Sequence, residues 1–276
     1  MKQTILICVK KQHKEAELAK KALQAWAHKK KINLHEITSS DDKISGEIEK
    51  AICLGVAIGG DGTFLSMVKT LTNKEAFPLM GVNLGSLGFI TEFSRDEMLT
   101  VVELALKGKL KEDKRPVLDV EVWRKGKKVA SGFVFNDAVI SKSPQTTMLR
   151  FDVSLGSDFL NHVRADGYIV STPTGSTAYA LSSGGPMVHP EIPALELVPI
   201  CSHSLSSRPI LVPLSSQIII EMKEPRGKAS LVYDGQLSFD LEQADIVKIK
   251  YNKKNLRLLH APTQKWSEAL REKLGL

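Results

Sequence analysis

The chain has 276 residues, of which 42% are hydrophobic and 25% charged, as in an ordinary globular protein with room for two domains. No apolar run approaches the roughly 18 residues that span a bilayer, and the short apolar N-terminal stretch lacks the cleavage site of a signal peptide. Cys8, Cys53 and Cys201 are widely separated and odd in number, which excludes a disulfide framework or zinc spacing. We therefore expect a cytoplasmic protein with no membrane partner.

The net charge of +7 is compatible with polyanionic ligands, from nucleotides to nucleic acid. The basic residues are scattered, however, and form only short runs such as Lys29-Lys30-Lys31. No RNA-recognition, zinc-finger or basic-zipper signature accompanies them. We therefore expect no nucleic-acid partner.

The first hundred residues alternate strand-like and helix-like segments. Strands are predicted at 5–9, 32–37, 51–58 and 78–82, and helices at 14–28, 63–71 and 94–106. Ser94 and Glu97 have the spacing of a capping box at the start of the last helix. The alternation predicts an α/β domain with a Rossmann-like open sheet over residues 1–114, which binds ligands at the carboxyl ends of its strands.

The pattern changes near Arg115-Pro116, where apolar residues begin to recur at every second position. Strands are predicted at 118–122, 128–135, 149–155, 159–163, 218–222, 229–233, 237–241, 246–251 and 256–259. Short strands separated by Gly, Pro and Asp indicate an all-β, sandwich-like domain over residues 115–262. The tail at 263–276 has a helical composition, and the sequence leaves open whether this helix packs back on the first domain.

Gly59-Gly60-Asp61-Gly62-Thr63 lies between a predicted strand and a predicted helix. This arrangement aims backbone N–H groups at a phosphate, and glycines let a ligand approach the backbone closely. Asp61 is unusual there, because a carboxylate repels the anion that such a loop attracts. Metal binding, a sugar-hydroxyl contact and proton abstraction are the functions that would explain it, and an ordinary Asp-Gly turn is the structural alternative.

Three further stretches carry polar groups suited to a nucleotide. Asn136-Asp137 ends a predicted strand, where such side chains bind ribose hydroxyls or base edges, although a polar turn is the simpler interpretation. The run 164–179 contains a strand (168–171), a loop rich in Ser, Thr and Gly, and a helix start, which suits a phosphate or sugar, with Tyr179 as a stacking face. Tyr233-Asp234-Gly235-Gln236 alone indicates a hairpin turn.

The order of these motifs resembles the NAD kinase family over about residues 51–240, including the segment 200–209. The Gly-Gly-Asp-Gly-Thr motif alone also resembles those of phosphofructokinases and diacylglycerol-type lipid kinases, and the run 166–179 separates NAD kinases from both. The resemblance implies transfer of the γ-phosphoryl group of ATP, or of a phosphoryl group of polyphosphate, to the 2′-hydroxyl of the adenosine ribose of NAD. It further implies Mg²⁺ bound with ATP, no residue assigned as a metal ligand, and a homo-oligomer, either a dimer or a tetramer.

The resemblance also implies roles for residues of the first domain. Asp61 would accept the hydroxyl proton late in a loose transition state and mainly orient the nucleophile. Phosphate-loop residues would be Gly60, Gly62 and Thr63. The loop over the adenosine would contain Leu87, Gly88 and Phe89, with Phe89 as an apolar wall.

In the second domain, the resemblance implies that Asn136 and Asp137 hold adenosine. The family usually has Asn-Glu at this point. The side chain of Asp137 is one methylene shorter than glutamate, so the sequence leaves open whether it reaches the ribose. Asp166 would lie near the nicotinamide carboxamide. The sequence leaves open whether the Asp166 that meets a given NAD comes from the same subunit or from a neighbouring one. Arg164 would contact a phosphate or form a salt bridge with Asp166, the latter being favoured. Further contacts to base, ribose or nicotinamide are implied for Thr174, Thr177, Ala178, Tyr179, Ser182 and Gln236; family members vary at the position of Gln236.

Two other functions are compatible with the glycine motif. One is a lipid or sugar kinase, which the absence of an amphipathic helix with a basic rim disfavours. The other is a dinucleotide-binding regulator without catalysis, against which Asp61 and the acidic residue at 137 argue.

Overall fold

The computed structural model describes residues 3–38, 44, 46–73, 75–85, 87–143, 147–204, 207–223, 229–261 and 266–275. Leu205 and Ser206 of the segment 200–209, and the first residues of the predicted tail helix, lie outside these ranges. The chain divides into two compact units: unit 1 is Met1–Arg115 with Asn255–Leu276, and unit 2 is Pro116–Lys254. Unit 1 is α/β and unit 2 is almost entirely β, which confirms the predicted fold class.

Unit 1 is built on a parallel sheet. Its elements, in chain order, are β1 (Thr4–Val9), α1 (Lys14–Lys30), β2 (Asn33–Ile37), α2 (Gly46–Ala51), β3 (Ile52–Ile58), α3 (Asp61–Thr70), β4 (Leu79–Asn83), β5 (Phe93–Ser94) and α4 (Met98–Leu106). The strands lie in the order β2-β1-β3-β4, all parallel, with β5 paired to β4. β3 and β4 are almost completely buried, as expected for apolar strands covered on both faces.

Two details of the unit 1 helices differ from the sequence-based expectation. The apolar spacing predicts Leu18, Ala19 and Leu23 on one side of helix α1; Ala19 and Leu23 are buried, but Leu18 is 48% exposed and faces away from the core. The predicted helix start at Ser94 is wrong, because Ser94 pairs with Asn83 as part of β5 and α4 begins at Met98. The capping-box contact itself forms, since Ser94 N–H donates to the Glu97 carboxylate at 3.1 Å.

The rest of the chain is mainly β. The elements are β6 (Lys111–Arg124), β7 (Lys127–Val134), β8 (Asp137–Lys142), β9 (Leu149–Leu155), β10 (Asp158–Ala165), β11 (Gly167–Ser171), α5 (Tyr179–Ser182), β12 (Ala194–Ile200), β13 (Ile210–Pro213), β14 (Ile218–Met222), β15 (Ala229–Tyr233), β16 (Leu237–Leu241), β17 (Ile246–His260) and α6 (Trp266–Leu274). The last part of β17 and all of α6 belong to unit 1, where Leu258 pairs with Leu79 of β4.

Unit 2 has a core between two layers of strands. One layer is an antiparallel sheet in the order β13-β12-β11-β8-β15-β16, and β10, β9 and β14 lie side by side in the other. Phe151 of β9 meets Tyr168 of β11 edge to face, with ring centroids 5.5 Å apart. Apolar residues from both layers share one buried cluster, as in a sandwich.

The sequence pattern missed β8, β12 and β13. β8 is buried along most of its length and lacks a polar alternation, and β12 contains Glu196 and Pro199 within an apolar run. None of the helices in the described part of the chain combines the length and apolar character needed to cross a bilayer.

Candidate active site

Asp61 is the first residue of α3 and follows Gly60, whose backbone is extended. Strand β3 ends at Ile58, so strand, glycine turn and helix follow one another as predicted. The first N–H groups of a helix have no partner within the helix, and the dipole is positive there, so this end favours anions. The turn therefore places the positive end of a helix and a carboxylate at one point.

The Asp61 carboxylate is held by the segment 89–91. Oδ1 accepts hydrogen bonds from the Thr91 N–H at 3.0 Å, the Thr91 hydroxyl at 2.9 Å and the Ile90 N–H at 3.3 Å. Oδ2 accepts a hydrogen bond from the Phe89 N–H at 3.0 Å. Hydrogen bonds to a charged acceptor are stronger than neutral ones, so they fix the direction in which the carboxylate points.

Gly88 is required for this arrangement. A Cβ atom at position 88 would lie 2.1 Å from Asp61 Oδ1 and 2.0 Å from the Thr91 hydroxyl oxygen, distances that real Cβ atoms do not show. The structure thus brings the loop of Leu87, Gly88 and Phe89 together with Asp61. Thr91 was not identified from the sequence, because nothing local distinguishes it from other threonines.

At Gly60 and Gly62, by contrast, no contact within the protein requires a glycine. Gly60 has a φ of −82°, and a Cβ atom at either position would meet no atom within 4 Å. Other residues would therefore fit at both positions, and the absence of side chains keeps space beside the backbone for a ligand.

A cavity of about 320 Å³ opens beside the same turn. Its lining includes Lys10, Lys11, Gly62 and Thr63. Lys10 directly follows β1. In the sheet, β2 lies on one side of β1 and β3 on the other, so the chain reverses its direction across the sheet at β1. Ligands of open α/β sheets bind at such a switch point, and two lysines beside a helix N-terminus suit a phosphate.

In unit 2, Asp234 organises the segment that contains Asn136 and Asp137. Its carboxylate accepts hydrogen bonds from three successive backbone N–H groups, of Phe135 at 2.9 Å, Asn136 at 2.7 Å and Asp137 at 3.0 Å. The hairpin predicted at 233–236 is confirmed, since β15 and β16 pair on either side of it. The sequence did not show that the side chain of Asp234 reaches back to residues 135–137.

The carbonyl side of the same segment is held by β11 and the residue after it. The Thr172 hydroxyl donates to the Phe135 carbonyl at 2.6 Å, and the Thr172 N–H donates to the Asn136 carbonyl at 2.8 Å. The backbone at 135–137 is thus fixed from both sides, and Asn136 and Asp137 are both buried. The Asn136 Oδ1 atom is buried without a hydrogen-bond partner among the described residues, so this site has an acceptor to offer a ligand.

The Ser/Thr-rich loop forms a short 3-10 turn, Thr174–Thr177, followed by α5. Gly175 lies against the Asn136 carbonyl, where a Cβ atom would come within 2.3 Å. The Thr174 hydroxyl oxygen is buried without a partner in the described part of the chain. The structure therefore brings the loop of Thr174 next to Asn136, so that one ligand could contact both residues. Thr177 and Ala178 are half-buried, while Ser182 and Tyr179 are exposed, the latter by 48%.

Asp166 and its neighbours are arranged differently from the expectation. The salt-bridge partner favoured for Asp166 was Arg164, but Lys142 Nζ lies 2.9 Å from Asp166 Oδ1. Arg164 lies in β10 and is exposed between the buried Val163 and Ala165, as the alternation of side chains along a strand requires. Asp166 lies outside β10, between β10 and β11. Gln236 is half-buried in the hairpin that also contains Asp234.

Glu196 is a buried acid of this unit that no sequence motif marks. It is 1% exposed, and neither carboxyl oxygen has a hydrogen-bond partner among the described residues. Ser171 pairs in register with Asp137 on one side and Glu196 on the other, so both acids lie on one face of the sheet. Burial, together with the charge of Asp137, raises the pKa of the Glu196 carboxyl to about 7.

This shift makes stability depend on pH in a defined direction. Between the ordinary carboxyl pKa and about 7, the folded state binds the Glu196 proton and the unfolded state releases it, so stability falls as pH rises. A Glu196→Gln variant should therefore be more stable than the parent by about 1–3 kcal/mol at pH 8 and nearly equal near pH 4.5. Thermal unfolding across this range measures the difference, with exposed Glu191→Gln as the control. A gain that does not depend on pH would contradict this assignment.

Comparison with known proteins gives consistent results for both halves of the chain. Residues 3–110 match the model of the ATP-NAD kinase N-terminal domain, and residues 135–261 match that of the ATP-NAD kinase C-terminal domain. An NAD kinase of Azoarcus sp. (strain BH72) is 42% identical over 228 residues, which cover 83% of this chain and 77% of that protein.

Two solved structures share the fold. The crystal structure of yeast NADH kinase complexed with NADH aligns with a TM-score of 0.91 at 25% identity, covering 100% of this chain and 88% of that chain. An NAD kinase from Archaeoglobus fulgidus in complex with ATP aligns with a TM-score of 0.75 at 22% identity, covering 100% of this chain and 98% of that chain.

Proposed function

Because the chain belongs to the NAD kinase family, we propose that it transfers the γ-phosphoryl group of ATP to the 2′-hydroxyl of the adenosine ribose of NAD. Family membership decides against the lipid kinase, the sugar kinase and the non-catalytic regulator. The observation that carries the detailed proposal is the Asp61 carboxylate, which segment 89–91 fixes beside a glycine turn with open space.

In the proposed reaction, Asp61 orients the ribose hydroxyl and accepts its proton as the phosphoryl group arrives. Gly60, Gly62 and Thr63 leave room for the donor phosphates beside the start of α3. Phe89 supplies an N–H to Asp61 and a ring for the adenosine.

Unit 2 supplies the groups that we propose for recognition of the acceptor. The buried, unpartnered Asn136 Oδ1 and Thr174 hydroxyl support contacts with the adenosine, together with Asp137. We propose that Tyr179 stacks on a base and that Asp166 meets the nicotinamide carboxamide. We also propose ligand contacts for Thr177, Ala178, Ser182, Gln236 and Arg164.

We propose that ATP is used as its Mg²⁺ complex, in which the ion would offset the negative charge of the phosphate groups. Among the described residues, no three His, Cys, Asp or Glu side chains are grouped to hold a metal by themselves. An ion carried by the donor phosphates needs few protein ligands, and we assign no residue of this chain to it. We also propose a cytoplasmic homo-oligomer, a dimer or tetramer; free thiols at all three cysteines support a reducing compartment.

The test is formation of NADP from NAD, or of NADPH from NADH, by the full chain with Mg²⁺ and with ATP or polyphosphate as donor. The proposal expects turnover with ATP and NAD. Failure to phosphorylate NAD with either donor would refute it, and polyphosphate turnover alone would correct the donor.

A Gly62→Ala variant tests the proposed phosphate space. Alanine is a better helix residue than glycine, and its Cβ meets nothing in the protein, so stability should rise by roughly 0.5–1 kcal/mol. The same methyl group would fill space reserved for the donor, so kcat/KM for ATP should fall by about tenfold or more. Thermal unfolding and steady-state kinetics measure the two effects, and unchanged kinetics would contradict the proposed phosphate space.

A further inference from the structure

The C-terminal helix α6 brings a lysine to the proposed catalytic residue. Lys273 Nζ lies 3.8 Å from Asp61 Oδ2 and 4.4 Å from the centroid of the Phe89 ring. All three residues belong to unit 1, and α6 buries Ala269 and Leu270. A cation from the far end of the sequence therefore lies beside Asp61 and the aromatic wall.

The two oxygens of Asp61 differ in what they can still accept. Oδ1 already accepts from Ile90 and twice from Thr91. Oδ2 accepts one hydrogen bond among the described residues, from Phe89, and a carboxylate oxygen has about two acceptor sites. Oδ2 is therefore the oxygen left for an incoming hydroxyl group, and it is the one near Lys273.

The position of the ammonium group leaves it able to bind a second anion. A separation of 3.8 Å is an ion-pair contact but is too long for a hydrogen bond. The three N–H donors of Lys273 are therefore not used by Asp61. The contact with the face of Phe89 adds cation–π attraction, which holds the ammonium beside Oδ2.

We propose that Lys273 is a further catalytic residue, whose ammonium contacts the phosphoryl group during its transfer; this inference rests on the proposed function. The bond from the γ-phosphorus to the bridging oxygen of ADP breaks, and the bond from the ribose 2′-oxygen to that phosphorus forms. The hydroxyl proton passes to Asp61 Oδ2. Lys273 neutralises charge on the phosphoryl oxygens, the role that cations have in phosphoryl transfer.

The experiment compares NADP formation by full-length Lys273→Ala, Lys273→Met and Lys273→Arg, with Arg271→Ala as the control on an exposed position of the same helix. The Ala and Met variants should lose about 10²–10³-fold in kcat, while KM for NAD changes little. The Met variant keeps the apolar stem, so its melting temperature should be unchanged. Lys273→Arg should recover part of kcat, and added methylammonium should partly rescue Lys273→Ala. Arg271→Ala should behave as the parent.

The outcomes separate this inference from the proposed function. A parent protein that forms no NADP refutes both. If the parent is active and kcat of Lys273→Met lies within about threefold of the parent value, the role of Lys273 alone is refuted. Loss of a charge-stabilising donor should lower kcat by about 10²-fold or more. Loss of kcat in step with melting temperature, without recovery by arginine or methylammonium, also refutes it.

Discussion

An Asp61→Asn variant is expected to lose about 10²–10⁴-fold in kcat for NADP formation, with an affinity for NAD within a few-fold of the parent. The asparagine oxygen can still accept the bonds from Thr91 at the Oδ1 position. Its NH₂ group would then face the Phe89 N–H, which now donates to Oδ2, and it cannot accept a proton. The substitution therefore removes the proposed chemistry and leaves most of the local structure.

Steady-state kinetics and calorimetric titration with NAD measure the two quantities separately. Asp96→Asn is a suitable control, because the Asp96 side chain is 84% exposed and pairs only at the surface with Arg95. Full activity in Asp61→Asn would remove the carboxylate from the mechanism. A parallel loss of NAD affinity would instead make Asp61 a binding residue.

The second large effect is expected for Asp234→Ala, which should reduce the free energy of unfolding by about 3–5 kcal/mol. Three N–H groups, of Phe135, Asn136 and Asp137, would lose a charged acceptor in a buried region. Asp234 also has a φ of 48°, a conformation that alanine tolerates less well than aspartate. Because Asn136 and Asp137 would no longer be fixed, KM for NAD should rise as well.

Urea unfolding of the parent, Asp234→Ala and Asp234→Asn separates the contributions. Asparagine tolerates the same backbone conformation, so its cost reports the loss of the charged acceptor alone. Asp240→Ala, at an exposed position of the neighbouring strand, is the control. A cost below about 1 kcal/mol for the alanine variant, the value of a single ordinary hydrogen bond, would show that residues 135–137 are held by other contacts.

The local sequence pattern was sufficient to predict the fold class and the turn that contains Asp61. An apolar run, a glycine cluster and a helical run specify strand, turn and helix over a few neighbouring residues. The strand boundaries at 149–155, 218–222, 229–233 and 237–241 agree with the structure, because strict alternation marks strands with one buried face. β8 and β12 were missed because buried central strands lack that alternation.

The partners of the site residues were beyond the reach of local pattern. Thr91, Asp234 and Lys273 act on residues distant in sequence, and nothing in their own surroundings distinguishes them from ordinary polar positions. Glu196 was hidden because a single acid inside an apolar strand carries no motif. The turn at 233–236 shows the difference: its hairpin was predicted, while the contact of its carboxylate with residues 135–137 depends on the tertiary fold.

The discontinuity of unit 1 determines the order in which the protein can be completed on the ribosome. Unit 2 is one continuous segment, Pro116–Lys254, and all its residues are available as soon as that segment emerges. Unit 1 lacks residues 255–276 until the whole of unit 2 has been synthesised; these residues include Leu258, which pairs with β4, and Lys273, which contacts Asp61. Segments generally fold in the order of their emergence. A nascent chain therefore carries Asp61 early and acquires the lysine beside it only after the whole of unit 2, so a translation product interrupted before residue 273 lacks that contact.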